Sequence, residues 1–331
     1  MYNIKLKDLI STYPFVLGYF EDNKIMIEGY ENFTFKEYLD GLTYEYIEDM
    51  AIDKEVLMEG LELFINQMIS FLNVDENSGV KSLTILPGRD KSGNTEGFKE
   101  LTIKKSEIVS IVGPTGSGKS RLLADIEWTA QSDTPTGRTI LINGSIPDKK
   151  WRFSSNNKLV AQLSQNMNFV MDLTVLEFLQ LHAESRMVVD VNGTINRIIE
   201  QANNLAGEKF QLDTPITALS GGQSRALMIA DTAILSSSPI VLIDEIENAG
   251  IDRRKALDLL ISEDKIVLMA THDPTLALIA HKRIIIKNGG ISEVIQTSKE
   301  EKEILSKLEK MDSFIQEMRS NLRQGKVLEN I

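Results

Sequence analysis

Eight consecutive residues, Gly113, Pro114, Thr115, Gly116, Ser117, Gly118, Lys119 and Ser120, carry the densest chemistry in the chain. Three glycines within six positions let backbone N–H groups close around a cluster of charged oxygens, because no Cβ holds the ligand away. The apolar, β-branched run Ile108–Val112 precedes them and a helical pattern follows. The loop therefore opens onto a helix N-terminus, whose dipole favours anions. Lys119 adds a full positive charge for the outer phosphates, and Ser120 a hydroxyl for Mg²⁺. Together these residues describe a triphosphate cradle.

Three later segments complete a site. The apolar run Ile240–Ile243 ends in Asp244 and Glu245, two carboxylates at the C-terminal end of a buried strand, where ligands of parallel sheets gather. Successive strand residues point to opposite faces, so the pair divides the work. Asp244 is expected to hold the metal's water shell, and Glu245 to orient or deprotonate an attacking water. His272 follows another apolar strand, Ile266–Ala270. Between phosphate loop and carboxylates, Leu219–Gln223 reads LSGGQ. There Ser220, Gly221 and Gly222 with Gln223, ahead of a helix expected from Ser224, make a second anion-seeking helix start; in isolation the same residues read as an ordinary helix cap.

Such loops act together only if one scaffold brings them to one edge. Strands are predicted at Ser82–Leu86, Leu101–Ile103, Ile108–Val112, Ile140–Ile142, Leu159–Leu163, Ile240–Ile243 and Ile266–Ala270, with helices between them. This alternation predicts an α/β fold with a mainly parallel sheet and helices on both faces. A mostly helical insertion, about 170–220, interrupts it. Residues 1–78 are predicted to form a separate helical module. Its clearest element is Lys54–Leu72, where Val56, Leu57, Leu61, Phe64, Ile65, Met68 and Phe71 share one stripe behind the N-cap candidate Asp53. The main domain then occupies 79–297. In 298–331, Ile304, Leu308, Met311, Ile315, Met318 and Leu322 recur at spacings of 4 and 3, which fits a short coiled coil or an amphipathic helix docked on its own domain.

Composition narrows the class of chemistry. The 331 residues hold no cysteine and three histidines, which excludes disulfides and thiolate metal sites and leaves an oxygen-bound Mg²⁺ as the expected metal. The net charge of −12 repels nucleic acid and anionic lipid on average, so nucleic acid is not an expected partner. No apolar stretch reaches the roughly 18 to 20 residues that span a bilayer. The first twenty residues lack the pattern of a secretory signal, and a cytoplasmic location is expected.

With all four motifs in this order, residues of about 80–297 resemble the ATP-binding cassette (ABC) ATPases. The resemblance implies a P-loop NTPase cassette, with a parallel sheet core and a helical subdomain, that binds MgATP at the loop 113–120 and hydrolyses it. It implies that Ser220, Gly221, Gly222 and Gln223 of one copy close over the γ-phosphate held by a second, in a head-to-tail dimer, most simply a homodimer. It matches Gln165, in preference to the nearby Gln162, to a glutamine that senses Mg²⁺ and the attacking water, and His272 to a histidine that bonds the γ-phosphate. Departures accompany the likeness: Ile246 stands where the family places proline, and the loop up to Asp252 is one residue longer. No aromatic upstream of the cradle clearly matches the family's adenine-stacking ring; Phe98 reads as core. Two functions fit: a soluble ATPase that remodels or matures a target protein, which the additions at both ends and the acidic charge favour, or the ATP-binding subunit that works with a transmembrane permease.

Overall fold

The computed structural model describes residues 4–49, 52–72, 79–148, 151–152, 158–164, 169–186, 188–246 and 250–327. These form two compact units, Met1–Ser78 with Leu179–Ile195, and Gly79–Phe178 with Asn196–Ile331. The stretch 179–195, part of the helical insertion in sequence, groups with the first unit.

In the first unit, the described part of 1–78 supplies five helices: α1 Leu6–Thr12, α2 Val16–Asp22, α3 Phe35–Asp40, α4 Tyr44–Asp49 and α5 Lys54–Leu72. Leu6, Leu9, Val16, Phe20, Phe35, Tyr38, Leu39, Leu61 and Ile65 form their core. Asp53 Oδ1 accepts from Glu55 N and Val56 N at 3.0 and 3.1 Å, which starts α5 where the sequence places a cap. Leu61 and Ile65 of the α5 stripe are buried, whereas Val56 at its edge is exposed. Helices α1 and α2 are additions to the sequence-based expectation.

Among the described residues of the second unit, nine strands build two sheets. Strands β1 Ser82–Leu86, β2 Leu101–Lys104 and β4 Thr139–Ile142 form an antiparallel sheet in the order β2-β1-β4. Strands β3 Ile108–Val112, β5 Val160–Leu163, β6 Ile240–Asp244, β7 Ile266–Ala270, β8 Lys282–Lys287 and β9 Gly290–Gln296 form the other, ordered β5-β6-β7-β3-β8-β9. All its pairings are parallel except β8 with β9. The β6 and β7 cores are buried on both faces, which is why they read as continuous apolar runs instead of alternating ones. The β8–β9 hairpin turns at Asn288 and Gly289, both with positive φ (48° and 82°), the Asn-Gly signature of a tight two-residue turn.

The helices are α6 Lys119–Glu127, α7 Val175–Ser185, α8 Val191–Leu205, α9 Gly221–Ile234, α10 Arg253–Ser262, α11 Pro274–Ile279 and α12 Lys299–Arg323. Helix α12 is tied to its own unit by ion pairs of Glu301 with Arg283, Glu309 with Arg254 and Asp312 with Arg253. Ile304, Met311, Ile315 and Leu322 of its predicted seam remain exposed.

Residues 1–78 hold sixteen acidic residues against five lysines, eleven of the twelve net negative charges. Residues 79–331 are therefore within one charge of neutrality, and the acidic average does not oppose a triphosphate at the sheet edge.

Candidate active site

Strand β3 lies between β7 and β8, so the loop that leaves it emerges at the middle of the parallel sheet. Gly118 adopts φ 110° as the N-cap of α6, and Gly116 adopts φ 76°; both are in the left-handed region that favours glycine. A Cβ on Gly113 would stand 2.5 Å from Ile286 O and 2.8 Å from Ser117 Oγ, and one on Gly118 would stand 2.9 Å from Gly289 Cα. Lys119 Nζ curls back to donate to Gly113 O at 2.8 Å and Pro114 O at 3.3 Å. Ser120 is exposed beside it, and the first amides of α6 precede its intrahelical bonding. Ser117 Oγ is buried without a partner. A cradle closed to Cβ atoms, with a lysine and a hydroxyl at its mouth, fits a bound phosphate chain.

One strand over, β6 pairs with β7 up to Asp244 opposite Ala270. Glu245 follows with φ 51°, unusual for a residue with a side chain and worth about 1–2 kcal/mol of strain. Its own N–H bonds Ala270 O at 3.1 Å. That turn aims the carboxylate at the end of β7, where Glu245 Oε1 lies 3.7 Å from His272 Nε2. The gap is too long for a direct hydrogen bond and suited to a shared third group. Thus β3, β6 and β7 deliver Lys119, Asp244, Glu245 and His272 to one edge of one sheet.

The phosphate loop is braced from outside by residues that no motif marks. Arg138, fully buried, donates to Glu96 at 2.5 Å, to Asp125 of α6 at 2.8 Å and to Gly289 O at 3.0 Å. Burial alone would lower its pKa; hydrogen bonds and charge from Glu96 and Asp125 outweigh this and raise it. Gly289 N in turn donates to Ser117 O at 2.7 Å. Lys91 Nζ donates to Gly116 O at 2.9 Å. The partners of Arg138 lie 13, 42 and 151 positions away, so local pattern carries no trace of this brace.

The LSGGQ segment forms one helix start. The helix expected from Ser224 begins three residues earlier, at Gly221, because Ser220 and Gln223 complete a capping box. Ser220 Oγ accepts from Gln223 N at 3.3 Å, Gln223 Oε1 accepts from Ser220 N at 2.9 Å, and Gln223 also donates to Glu208 O. Among the described residues, no hydrogen bond or ion pair joins 220–223 to the loop 113–120 of the same chain. Gln165 and residues 247–249 lie outside the described residues, while Gln162 is an exposed residue of β5. Ile246 is buried, and Asp252 caps α10 through Lys255 N at 3.1 Å. Phe98 packs against the core, as its pattern suggests.

Comparison with known proteins identifies the family and the fold. The family profile described as ABC transporter matches residues 99–248. A Methanocaldococcus jannaschii protein, named as an uncharacterized ABC transporter ATP-binding protein, is 52% identical over 249 residues, which span 75% of this chain and 95% of that protein. The lipoprotein-releasing system ATP-binding protein LolD of Psychrobacter arcticus is 26% identical over 226 residues, 66% of this chain and 94% of LolD. In fold, the chain is similar to a solved ATP-binding subunit of an ABC transporter, with a TM-score of 0.50 at 19% identity, covering 65% of this chain and 89% of the other.

Proposed function

The chain belongs to the ATP-binding cassette ATPases, which bind and hydrolyse ATP, and from that premise we propose that it is the ATP-driven subunit of a membrane transporter, acting as a head-to-tail pair of copies. The observation that carries the proposal is the shared edge of β3, β6 and β7, with Lys119 in the cradle and Glu245 3.7 Å from His272. The amides of 113–120 and Lys119 hold the phosphates of ATP. Ser120 and Asp244 are the side chains that would hold Mg²⁺, with Gln165 as a third; the ion, when bound, neutralises charge on the β- and γ-phosphates. Glu245 orients the attacking water and takes its proton, and His272 donates to the γ-phosphate. Ser220, Gly221, Gly222 and Gln223 face the γ-phosphate of the other copy, which fits a capped helix start with no hydrogen bond or ion pair to its own cradle among the described residues.

Each γ-phosphate is then gripped by two chains, so ATP favours the closed pair and hydrolysis releases it. The names of the relatives favour a transporter subunit over the soluble remodelling role that the acidic charge and terminal additions suggest. Among the described residues no helix is long and apolar enough to cross a membrane, so a permease chain would do the spanning, with this chain at its cytoplasmic face. We divide the chain into an accessory module at 1–78, the cassette at 79–297 with its helical subdomain at about 170–220, and the tail at 298–331.

Replacing Glu245 by Gln tests the shared site. Turnover should be lost while ATP traps a dimer visible by size-exclusion chromatography, because the base goes and both sets of phosphate ligands stay. A variant that remains monomeric in ATP refutes the head-to-tail pairing. For the transporter role, native membranes solubilised in mild detergent should yield the chain together with a polytopic protein. Recovery only from the soluble fraction, bound to a soluble enzyme, would refute it.

A further inference from the structure

Helix α12 is the feature that the ATPase reading leaves without a task, and its ion pairs lead back to the catalytic edge. Arg253 is the first residue of α10, directly after Asp252. Its guanidinium forks: one arm pairs with Asp273, and the other with Asp312 of α12 at 2.7 Å. Asp273 is held on every side. Its Oδ1 accepts from Thr275 N at 2.7 Å and Leu276 N at 3.3 Å, capping α11, and its N–H donates to Thr271 Oγ1 at 3.0 Å. Thr271 N is itself anchored on Ile111 O of β3 at 3.2 Å. His272 is the one residue between these two anchors, and its Nε2 is the atom 3.7 Å from Glu245.

We propose that Arg253 is a positioning residue for ATP hydrolysis, and that α12, through Asp312, sets how firmly Arg253 holds the Asp273–His272 segment against Glu245. The physical reason is geometric. A fork that is bidentate across two carboxylates fixes the plane of the guanidinium, and so the place of Asp273, more tightly than a single pair does. Hydrolysis needs His272 and Glu245 to converge on one phosphate and one water, and a displacement near 1 Å costs on the order of a hundredfold in rate. Asp312 is 38% exposed, against 19% for each of Arg253 and Asp273, so solvent screens the Asp312 arm more and that arm adds little to stability. The contribution of the Asp312 arm lies in orientation, and α12 becomes a handle on turnover.

The inference rests on the catalytic reading of Glu245 and His272, and the test separates the two. Steady-state ATPase rates and fluorescent-nucleotide binding are measured on the full chain as wild type, Arg253→Met, Arg253→Lys, Asp312→Asn and the double variant Arg253→Met/Asp312→Asn. Arg253→Met should lower kcat by about tenfold and leave nucleotide affinity within about twofold, since no phosphate ligand changes. Asp312→Asn should lower kcat by about threefold, with thermal unfolding unchanged. The double variant should be no slower than Arg253→Met alone, because both act through one fork. Arg253→Lys should recover part of kcat by restoring the charge to Asp273.

A purely structural tie predicts changed unfolding and unchanged kcat. If both single variants turn over within twofold of wild type, or if their effects multiply, the positioning role is wrong. If the wild type binds ATP and hydrolyses no more than Glu245→Gln does, the catalytic reading itself has failed.

Discussion

Removing the Arg138 guanidinium is the most demanding test of how the phosphate loop is held. The side chains of Arg138, Glu96 and Asp125 are at most 1% exposed, so Arg138→Met leaves two carboxylates buried without a counter-charge. Breaking a buried pair from one side costs about 3–5 kcal/mol. At about 2–4 °C per kcal/mol for a domain of this size, the unfolding midpoint should fall by about 6 to 20 °C. Trp128 and Trp151, the chain's two tryptophans, both belong to the second unit, so their fluorescence follows the relevant transition without contribution from the first. Denaturant titration on that signal gives the free energy, with two-state behaviour checked by circular dichroism. The double variant Glu96→Gln/Arg138→Met should be less damaged than the sum of its parts. The Glu96 carboxylate accepts from Gly88 N on one oxygen and Ile291 N on the other; a neutral amide keeps an acceptor for one of them and sets an NH2 against the other, a smaller loss than the stranded charge it removes. Nucleotide affinity should weaken in parallel, because Gly289 loses its donor and Gly289 N is what fixes Ser117 O. A loss below about 1 kcal/mol, the scale of a surface pair, or strict additivity in the double variant, would refute the view that this triad braces the loop.

Other outcomes follow from single contacts. Lys119→Ala should reduce ATP affinity by about tenfold or more, the scale of lost charge-assisted hydrogen bonds; unchanged binding by isothermal titration argues against the cradle. Gly118→Ala places a methyl 2.9 Å from Gly289 Cα at φ 110°, so it should fold less stably and bind ATP more weakly, and a variant with wild-type melting and binding contradicts the packing. Arg283, and next the Ser298 N–H, hold the Glu301 carboxyl below its ordinary pKa. The tie it makes from α12 to Arg283 of β8 is therefore fully present above the unfolded carboxylate value and lost as pH falls through the lowered one. Hydrogen exchange at the start of α12, corrected for intrinsic rates, should rise in that acid range in wild type and show no such step in Glu301→Gln.

Much of the scaffold is legible because two of its layers write plain patterns. Strands β3, β6 and β7 are buried on both faces, so near-continuous apolar runs rich in β-branched residues mark them, and the candidate site residues lie at or shortly beyond their ends. Helices α1 and α2 leave weaker marks. Each has seven residues and no side-chain cap bond, so neither period nor punctuation has room to register. The start of α9 was open to reading, since Ser220 and Gln223 spell a capping box; the two glycines between them suggest a loop instead. The turn at Asn288–Gly289 likewise announces a hairpin. The conformation of Glu245 could not be read from residue types, because a glutamate at positive φ defies its own preference and is held there by its neighbours.

The residues proposed to do chemistry and those proposed to aim them follow different rules of placement. Lys119, Asp244, Glu245 and His272 hang from adjacent parallel strands, whose ladders fix their spacing to the register of β6 on β7 and β7 on β3. Spacing is thus a property of the sheet and survives many changes of side chain. Orientation is not, because a loop or side chain beyond a strand end can turn without disturbing any ladder. Two buried or half-buried arginines supply that missing constraint from different sides: Arg138 acts through Gly289 on the phosphate loop, and Arg253 acts through Asp273 on the histidine. Each reaches partners far away in sequence, 151 positions for Gly289 and 59 for Asp312. This distance lets elements remote in sequence, the β8–β9 turn and α12, bear on the position of the phosphate loop and of His272.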